Sequence, residues 1–341
     1  MSTLEKLRDR ASTAVGLTGT SSHQWRSRLI KAGPVVALVI LILVFSLTSS
    51  TFLTGSNLAT IGSQLSILLV LAVGMTFVIL LGSIDLSSEG IMAASSLIFV
   101  LLASNDKNGN NFGWLAVGAG ISTGALFGLI NGFLHTKFGI PSFMVTLGMG
   151  AIGIGVATVL FGGQPPRLLD GSLRTLGVVS WLGVSALLYI SLGVFVVALM
   201  VQKYTRVGRY GYVIGGDEGI ASISGINVKK YKIGAFVISG TAAGLAGVMA
   251  SAQLDVGDVN IGKNLLFTAI SAVVVGGTIL SGGRGGVLKT LIGSLIIVVL
   301  GNGLILVGVR PEVQIAVQSV VIVAAVAITS WPLRKRVRVV K

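Results

Sequence analysis

Residues 203–232 have the sequence KYTRVGRYGYVIGGDEGIASISGINVKKYK, and this stretch decides what kind of protein the chain is. It is polar, basic and punctuated by glycine, yet long apolar runs lie on both sides of it. A solvated linker is rich in Ser, Pro and charge and has few apolar residues, whereas this segment keeps Ile214, Ile220, Ile223 and Ile226 between its polar positions. The pattern therefore predicts an integral membrane protein whose longest polar loop docks a soluble partner on one face.

The composition excludes an ordinary soluble protein. Of the 341 residues, 53% are apolar and 11% are charged, and the mean hydropathy is +0.93, whereas a soluble domain carries roughly 25% charged residues. The net charge of +14 could indicate nucleic-acid binding, but the basic residues flank the apolar runs, which is the positive-inside pattern of membrane proteins. Because the chain has no cysteine, disulfides and thiolate chemistry are excluded.

Ten apolar runs predict an all-α polytopic membrane protein with about ten transmembrane helices. With ten spans both termini lie on one side, and twenty of the 25 Lys and Arg residues fall on that side and five on the other. This asymmetry predicts that both termini are cytoplasmic. Eight spans with re-entrant segments are the alternative. The predicted spans are 33–48, 58–81, 85–104, 113–136, 143–161, 183–202, 233–254, 265–281, 287–307 and 313–332.

The predicted organisation is one transmembrane domain between two basic cytoplasmic tails. The tails are residues 1–32 and 333–341, and the domain is 33–332 with the loop 203–232 inside it. No small-residue cleavage site follows the first apolar run, so its helix is expected to be retained. A capping-box pattern at residues 2–5 predicts a short helix on the membrane surface, with a frayed tail as the alternative. The apolar positions of that helix are Leu4, Leu7, Ala11 and Val15.

Glycines recur every fourth residue on one predicted helix. Small residues at this period let two helix backbones approach closely, which favours helix association in lipid. Internal packing of the bundle is the main interpretation, and a face for a second copy is the alternative. The row consists of Gly120, Gly124, Gly128 and Gly132, and Gly240 and Gly244 repeat the pattern.

Several motif matches fail on their context. Residues 148–153 satisfy G-x-G-x-x-G, but they lie in an apolar span without a strand–turn–helix unit. Residues 282–290 resemble a phosphate loop but have leucine before the lysine. His23 and His135 stand alone, and no metal-ligand spacing is present. The sequence therefore predicts no enzyme and no metal or cofactor site in this chain.

Two carboxylates interrupt the apolar runs in GSIDLSSEG at 82–90. A charge at mid-bilayer costs ~2.5–3.5 kcal/mol, so such residues tend to face a cavity and to be functional. Asp85 and Glu89 are therefore candidates for the lining of a solute path. Alternatively Asp85 caps the following helix, where the helix dipole favours a negative charge, or it does both.

Amides within or near the spans suit a path for a neutral, hydroxyl-rich solute, although most single amides are expected to bond neighbouring helices. The full set of candidate path residues is Asp85, Ser87, Glu89, Gln64, Asn131 and Asn302. Further amides are Asn57, Gln164, Gln253, Gln314 and Gln318.

Four segments carry a resemblance to a known family. Over roughly residues 35–330 the chain resembles the membrane permease subunits of ribose-type ABC importers. Two departures concern the first segment: Ser83 replaces a more usual glycine, and Glu89 stands where valine is common. The segments are GSIDLSSEGIMAASS at 82–96, PSFMVTLGMGAIGIGVATVLFGGQP at 141–165, VGRYGYVIGGDEGIASISGINVKKYK at 207–232 and GGTILSGGRGGVLKTLIGSLIIVVLGNGL at 276–304.

The resemblance implies a coupling helix in the central loop that inserts into a groove of an ATPase subunit. The residues agree, because Asp217 can cap a short helix whose Ile220 and Ile223 share one face. Glycines at 215, 216 and 225 would bend the chain at the two ends of this helix. The expected coupling residues are Gly216, Asp217, Glu218, Ile220, Ile223, Ser224, Gly225, Ile226 and Asn227.

The resemblance also implies partners and a bacterial inner-membrane location. The partners are a cytoplasmic ATPase that binds ATP and Mg, a second permease (a copy or a relative) and an extracytoplasmic solute-binding protein. The solute would be a pentose or hexose first, then a sugar alcohol, then a nucleoside or sugar-derived signal molecule. The outer loop 162–182 is a candidate dock for the binding protein or an ordinary connection. Its candidate residues are Gln164, Pro165, Pro166, Arg167 and Trp181.

A self-sufficient secondary carrier or channel for a small neutral solute is the alternative function. Proton- or sodium-coupled carriers usually contain relays of buried acid, His or Lys residues. Apart from Asp85 and Glu89, the predicted spans contain only His135 and Lys289, each near the end of its span, and no relay.

Overall fold

The computed structural model of the chain describes residues 32–181 and 183–330. The predictions for the two tails, including the surface helix near the N-terminus, lie outside this part of the chain. The described part contains thirteen helices and one hairpin of two short antiparallel strands. The helices are α1 Ala32–Thr48, α2 Gly55–Leu80, α3 Ser88–Leu102, α4 Trp114–Phe138, α5 Ser142–Phe161, α6 Gly171–Val178, α7 Ala186–Tyr204, α8 Arg206–Gly216, α9 Glu218–Ile223, α10 Val228–Leu254, α11 Leu265–Val275, α12 Val287–Leu306 and α13 Pro311–Ser330. The strands are β1 Ser180–Trp181 and β2 Val184–Ser185.

The core of the bundle is α2, which is apolar on every side and packs against α7, α10, α11 and α12. Its residues from Leu68 to Leu80 are all buried. Helices α1, α4, α5 and α7 instead expose large apolar side chains, as Leu47 and Val159 show. Such an inverted surface needs a lipid environment, in which the helix also satisfies its own backbone hydrogen bonds.

The glycine row of α4 packs directly on α10. A Cβ added at Gly124 would overlap the carbonyl oxygen of Gly240, and one added at Gly128 would overlap that of Phe236. The two backbones are therefore in contact without intervening side chains, as close helix packing in lipid requires. The row lies in an interface within the chain.

Residues 82–87 connect α2 to α3 as a non-helical segment beside α5. The Ile84 amide donates to Ser142 Oγ at 3.0 Å, and the Leu86 amide donates to Thr146 Oγ1 at 2.9 Å. Gly90 then lies against Gly150, eight residues into α5, which is about 12 Å along that helix. Helix α3 therefore begins beside the middle of α5. It starts at Ser88, three residues after the predicted start of the span, because hydroxyls of α5 hold the preceding amides outside a helix.

Residues 255–264 return from α10 into the bundle alongside α3. Gly257 lies against Leu97 and Val100 near the end of α3, whereas Gly262 lies against Glu89 in its first turn. Between them the Asp258 amide donates to Ser96 Oγ at 3.2 Å. This segment is not helical, so α11 begins deep in the protein.

Helix α11 has 11 residues and ends at Val275, so the predicted span 265–281 was too long. The apolar pattern continues past that point, but Gly277 has φ +101° and Gly282 has φ +83°. Both glycines lie in turns and have positive φ angles, which other residues rarely adopt.

Six helices of the described part are long and apolar enough to cross a membrane, namely α2, α4, α5, α7, α10 and α12. Helices α1, α3 and α11 are apolar but shorter. The predicted all-α membrane architecture is confirmed, whereas the count of about ten spans is not established by length and hydropathy.

Candidate functional site

Asp85 lies at the centre of a buried polar cluster that joins three helices. It is 2% exposed. Its Oδ1 accepts hydrogen bonds from the Ser87 amide at 3.0 Å and from Ser87 Oγ at 2.5 Å, and its Oδ2 accepts one from Ser239 Oγ of α10 at 2.7 Å. Asn131 Nδ2 of α4 donates to Ser87 Oγ at 2.8 Å. The cluster fixes the start of α3 against α4 and α10.

The cluster changes the interpretation of Asp85 as a helix cap. Ser87 is the N-cap residue of α3, and Asp85 binds the Ser87 amide rather than an amide inside the helix. Its carboxylate accepts three hydrogen bonds from serine residues and is buried, so it does not line an open cavity in this arrangement. The Asn131 carbonyl oxygen is buried and has no hydrogen-bond partner in the described part of the chain.

The other candidate path residues lie elsewhere. Asn302 of α12 and Asn57 of α2 form a mutual amide pair, with Nδ2···Oδ1 distances of 3.0 and 2.8 Å. Both side chains are buried, so the pair joins two helices, as expected for most amides. Gln64 is exposed on α2, and Glu89 is partly exposed in the first turn of α3. The six predicted path residues therefore do not form one site.

The central loop folds into two helices and a turn. Helix α9 has six residues, and Asp217 caps it by accepting the Ile220 amide at 2.9 Å. Ile220 is 62% exposed and Ile223 is 90% exposed, so two large apolar side chains project from one face. Lys232 of α10 holds Glu218 through an ion pair of 2.7 Å.

The residues after α9 form the turn into α10. Gly225 has φ +79° and makes the bend, and Asn227 caps α10 by accepting the Lys230 amide at 3.1 Å. Ser224 closes the last turn of α9, and the Ile226 amide donates to the Ala221 carbonyl at 3.1 Å. The predicted bends at 215 and 216 are absent, because both glycines belong to the last turn of α8.

Those two glycines serve a close approach instead. A Cβ added at Gly215 would overlap the carbonyl oxygen of Leu80 at the end of α2. That carbonyl accepts the Gly283 amide at 2.9 Å, and a Cβ at Gly283 would lie 2.9 Å from Gly216. The ends of α2 and α8 and the turn between α11 and α12 therefore meet backbone to backbone. We call this contact the glycine junction.

Tyr212 of α8 strengthens the same contact. Its hydroxyl donates to the Gly285 carbonyl at 2.9 Å and accepts from Gln202 Nε2 at 2.8 Å, and Gln202 Oε1 accepts the Val287 amide at 2.9 Å. Burial raises the pKa of Tyr212, so the hydroxyl keeps the proton that it donates. A displacement of α8 therefore acts on the first residue of α12.

On the opposite side, the connections of the bundle carry both basic and acidic residues. Arg167 and Arg174 border a cavity of about 380 Å³ together with Asp255, and Arg174 pairs with Asp255 at 3.0 Å. Gln164, Pro165 and Arg167 are exposed and Pro166 is buried. The side chain of Trp181 lies outside what the structure describes.

Sequence reasoning missed two features of these sites. Tyr212 and Gln202 are ordinary members of helices, and no local signal shows that they meet the turn before α12. The segment 255–264 has mixed polarity typical of an outer loop. Its one signal is the pair Asp258 and Lys263, which are charges beside a short apolar helix.

Comparison with known proteins identifies the family. The family model described as "Branched-chain amino acid transport system / permease component" matches residues 57–326. Ribose import permease protein RbsC of Escherichia coli strain K12 is 36% identical over 306 residues, or 88% of this chain and 94% of that protein. RbsC of Bacillus subtilis strain 168 is 37% identical over 300 residues, or 87% and 91%.

A third relative is the D-allose transport system permease protein AlsC of Escherichia coli strain K12, which is 33% identical over 301 residues, or 87% of this chain and 91% of that protein. No solved structure matches the chain. The family model covers most of the chain, and these relatives match it over more than 90% of their own length. Proteins of this family are transport components and not enzymes. The chain therefore belongs to the family of membrane permease subunits of ribose-type ABC importers.

Proposed function

We propose that this chain forms the membrane path of an ATP-driven importer for a sugar or related polyol, and that α9 binds in a groove of a cytoplasmic ATPase subunit. The observation that carries the proposal is the pair Ile220 and Ile223, exposed on a capped six-residue helix. The helix lies in the basic loop 203–232, outside the apolar helices. Water-exposed isoleucines on a rigid short helix suit the helix-in-groove mode of binding.

The helix is connected rigidly to the membrane part. Asp217 ends α8 and begins α9, and the ion pair of Glu218 with Lys232 ties the start of α9 to α10. Helix α8 in turn contacts α2 and the α11–α12 turn through the glycine junction and Tyr212. Movement of the ATPase would therefore reach the buried core of the bundle as a rigid-body displacement.

ATP and Mg are bound by the partner ATPase in this proposal, and this chain binds neither. Two permease subunits line the central path, and the second is either a copy of this chain or a relative. The path opens alternately to the two sides of the membrane. ATP drives this change because it stabilises one arrangement of the two permease subunits more than the other.

The family and the apolar helices make the chain a multi-pass inner-membrane protein. We further propose ten spans, α1–α5, α7 and α10–α13, with both termini in the cytoplasm and basic tails at residues 1–32 and 333–341. Ten described helices overlap these predicted spans, which supports the proposal. In this proposal α3 crosses together with the non-helical segment 82–87, and α11 together with 255–264. The twenty-to-five split of Lys and Arg favours this orientation.

The solute is a neutral polyol in this proposal, with a pentose or hexose first, because the relatives are named for ribose and allose. A sugar alcohol comes next, and a nucleoside or sugar-derived signal molecule follows.

We assign the surface around Arg167 to the solute-binding protein. Exchange of the exposed Arg167 for Glu is expected to weaken binding of that protein at least tenfold, because reversal of one charge places like charges in contact in an electrostatically complementary interface. The measurement is titration of the purified binding protein onto the assembled importer at low and high salt. The control is Arg310→Glu, which reverses the charge of an exposed residue in the separate α12–α13 connection. Equal affinity of the Arg167→Glu variant and the parent would contradict this assignment.

The coupling proposal predicts that the double variant Ile220→Ala, Ile223→Ala loses the ATPase. Burial of each isoleucine stabilises the complex by about 2 kcal/mol, so the loss of both weakens it by a hundredfold or more. The measurement is co-purification of the ATPase with the tagged chain from native membranes, followed by ATP-driven uptake of labelled sugar in vesicles.

The matched control is Ile140→Ala, because Ile140 is an exposed isoleucine in the α4–α5 connection on the same side. This variant is expected to retain the ATPase and uptake. Uptake by the double variant that proceeds without ATP at the parental rate would contradict the proposal and favour a self-sufficient carrier or channel.

A further inference from the structure

Glu89 lies near the middle of the bilayer. The next residue, Gly90, contacts Gly150 and Gly153 of α5. Gly150 is about 12 Å from one end of that helix and about 16 Å from the other at 1.5 Å per residue. The hydrocarbon core is about 30 Å thick, so the first turn of α3 lies about halfway through it, far from the bulk water on either side.

The segment 255–264 brings further polar groups to the same depth. Gly262 touches the backbone of Glu89, and Lys263 and Asn264 follow it directly. Lys263 and Asn264 are exposed, and Glu89 is partly exposed. We call Glu89, Lys263 and Asn264 the mid-membrane patch.

Lipid is an unsuitable neighbour for this patch. One charged side chain at the centre of a bilayer costs ~2.5–3.5 kcal/mol, and the patch carries two. Its backbone between Gly257 and Gly262 is not helical, and such backbone occurs at membrane depth only where protein buries it or where it lines a water-filled cavity. Lys263 and Asn264 are exposed on this chain, so their neighbour in the membrane is either water or a second permease subunit.

We propose that the mid-membrane patch lines the aqueous passage and binds the hydroxyl groups of a neutral polyol as it crosses. The inference rests on the proposed function and names the part of the chain that contacts the solute. A carboxylate accepts hydrogen bonds from hydroxyls, an ammonium donates to them, and an amide does both. One negative and one positive charge leave the patch neutral overall, which favours an uncharged solute.

The patch differs from the other polar groups in the membrane. The buried Asp85 carboxylate accepts hydrogen bonds from Ser87 and Ser239, and the buried amides of Asn57 and Asn302 bond each other. Those groups hold helices together, whereas the side chains of the patch lie at the surface of the chain and are available to a solute.

The chain has no cysteine, so single cysteines can be introduced without a background. The test uses the importer purified with its ATPase and reconstituted in vesicles, and treats it with 2-sulfonatoethyl methanethiosulfonate, a charged reagent that modifies thiols in water. The Asn264→Cys variant is expected to react at least tenfold faster than Leu126→Cys, and its modification is expected to reduce sugar uptake at least fivefold. Leu126 is the matched control, because it is 54% exposed at the midpoint of α4 on an apolar face.

Two outcomes would overturn the inference. Equal rates for the two variants would mean that the patch faces no water, and spontaneous disulfide formation by Asn264→Cys between two permeases would mean that a second subunit covers it. Leu169→Cys in an outer connection confirms that the reagent is active. Failure of the ATPase to co-purify would count against the proposed function, whereas an intact importer with an unreactive Asn264→Cys variant would count against this inference alone.

Discussion

Gly124→Leu is expected to abolish the folded protein. The α4 and α10 backbones touch at this residue, where even a Cβ would overlap the Gly240 carbonyl and lie 2.8 Å from the Gly244 backbone. Backbone atoms cannot rotate away as a side chain can, so the two helices must separate. The neighbouring contact of Gly128 with Phe236 is then lost as well. Overpacking of one methylene group costs about 1–3 kcal/mol, and a leucine side chain adds several groups to the interface.

The measurement is the size-exclusion profile and the melting temperature in mild detergent. Gly118→Leu is the matched control, because Gly118 lies on the same helix with nothing within 4 Å of an added Cβ. It is expected to change stability by no more than about 0.5 kcal/mol. A Gly124→Leu variant that elutes and melts like the parent would show that α4 and α10 are not in direct contact.

Asp85→Ala is expected to destabilise the protein by roughly 3–5 kcal/mol, because it removes the acceptor of three buried hydrogen bonds. The substitution leaves three donors without an acceptor in the bilayer interior: the Ser87 amide, Ser87 Oγ and Ser239 Oγ. Each orphaned donor costs about 1–3 kcal/mol. The start of α3 is released at the same time, so sugar uptake is expected to fall with stability.

The informative comparison is Asp85→Asn, which keeps the shape and one acceptor oxygen and should lose about half as much stability. Asp170→Ala removes a carboxylate that caps the short outer helix α6, and should cost about 1 kcal/mol. Thermal melting in detergent and uptake in vesicles provide the two measurements. If Asp85→Ala and Asp85→Asn were equally stable, the hydrogen bonds of this cluster would not contribute to the fold.

The sequence predicts those features of this protein whose physical cause is local. Asp217 caps α9 by accepting the amide of Ile220, which is only three residues further along the chain. Ile220 and Ile223 share a face because they are three residues apart. The apolar runs predict membrane helices for the same reason, since each run alone must satisfy its backbone within lipid. These elements need no knowledge of the rest of the chain.

The helix boundaries at 88 and 275 could not be predicted in this way. Residues 84 and 86 leave the helical path because Ser142 and Thr146 accept their amides, and this partnership joins residues about sixty positions apart. In the same way, an apolar sequence continues past Val275 although the chain turns there. Hydropathy reports burial and does not report backbone hydrogen bonds.

The sequence could not identify the residues of the solute path, because the partner of a polar side chain is not visible in the sequence. An amide in a spanning helix has the same appearance in the sequence whether it meets a solute or another amide. Asn302 meets Asn57, which is 245 residues away. The mid-membrane patch was partly visible through Glu89, but its other members lie in a segment that hydropathy assigns to an outer loop.

The shortness of α3 and α11 has a consequence for how the chain enters the membrane during synthesis. Helices of 15 and 11 residues extend only about 22 and 16 Å, less than the hydrocarbon thickness. Neither can be recognised by the insertion machinery as a complete spanning segment. Their stable placement must therefore wait for the longer helices beside them, α5 for the segment before α3, and α2 and α12 for α11. The polar stretches at 82–87 and 255–264 enter the bilayer late in biogenesis, once neighbours exist to accept their hydrogen bonds.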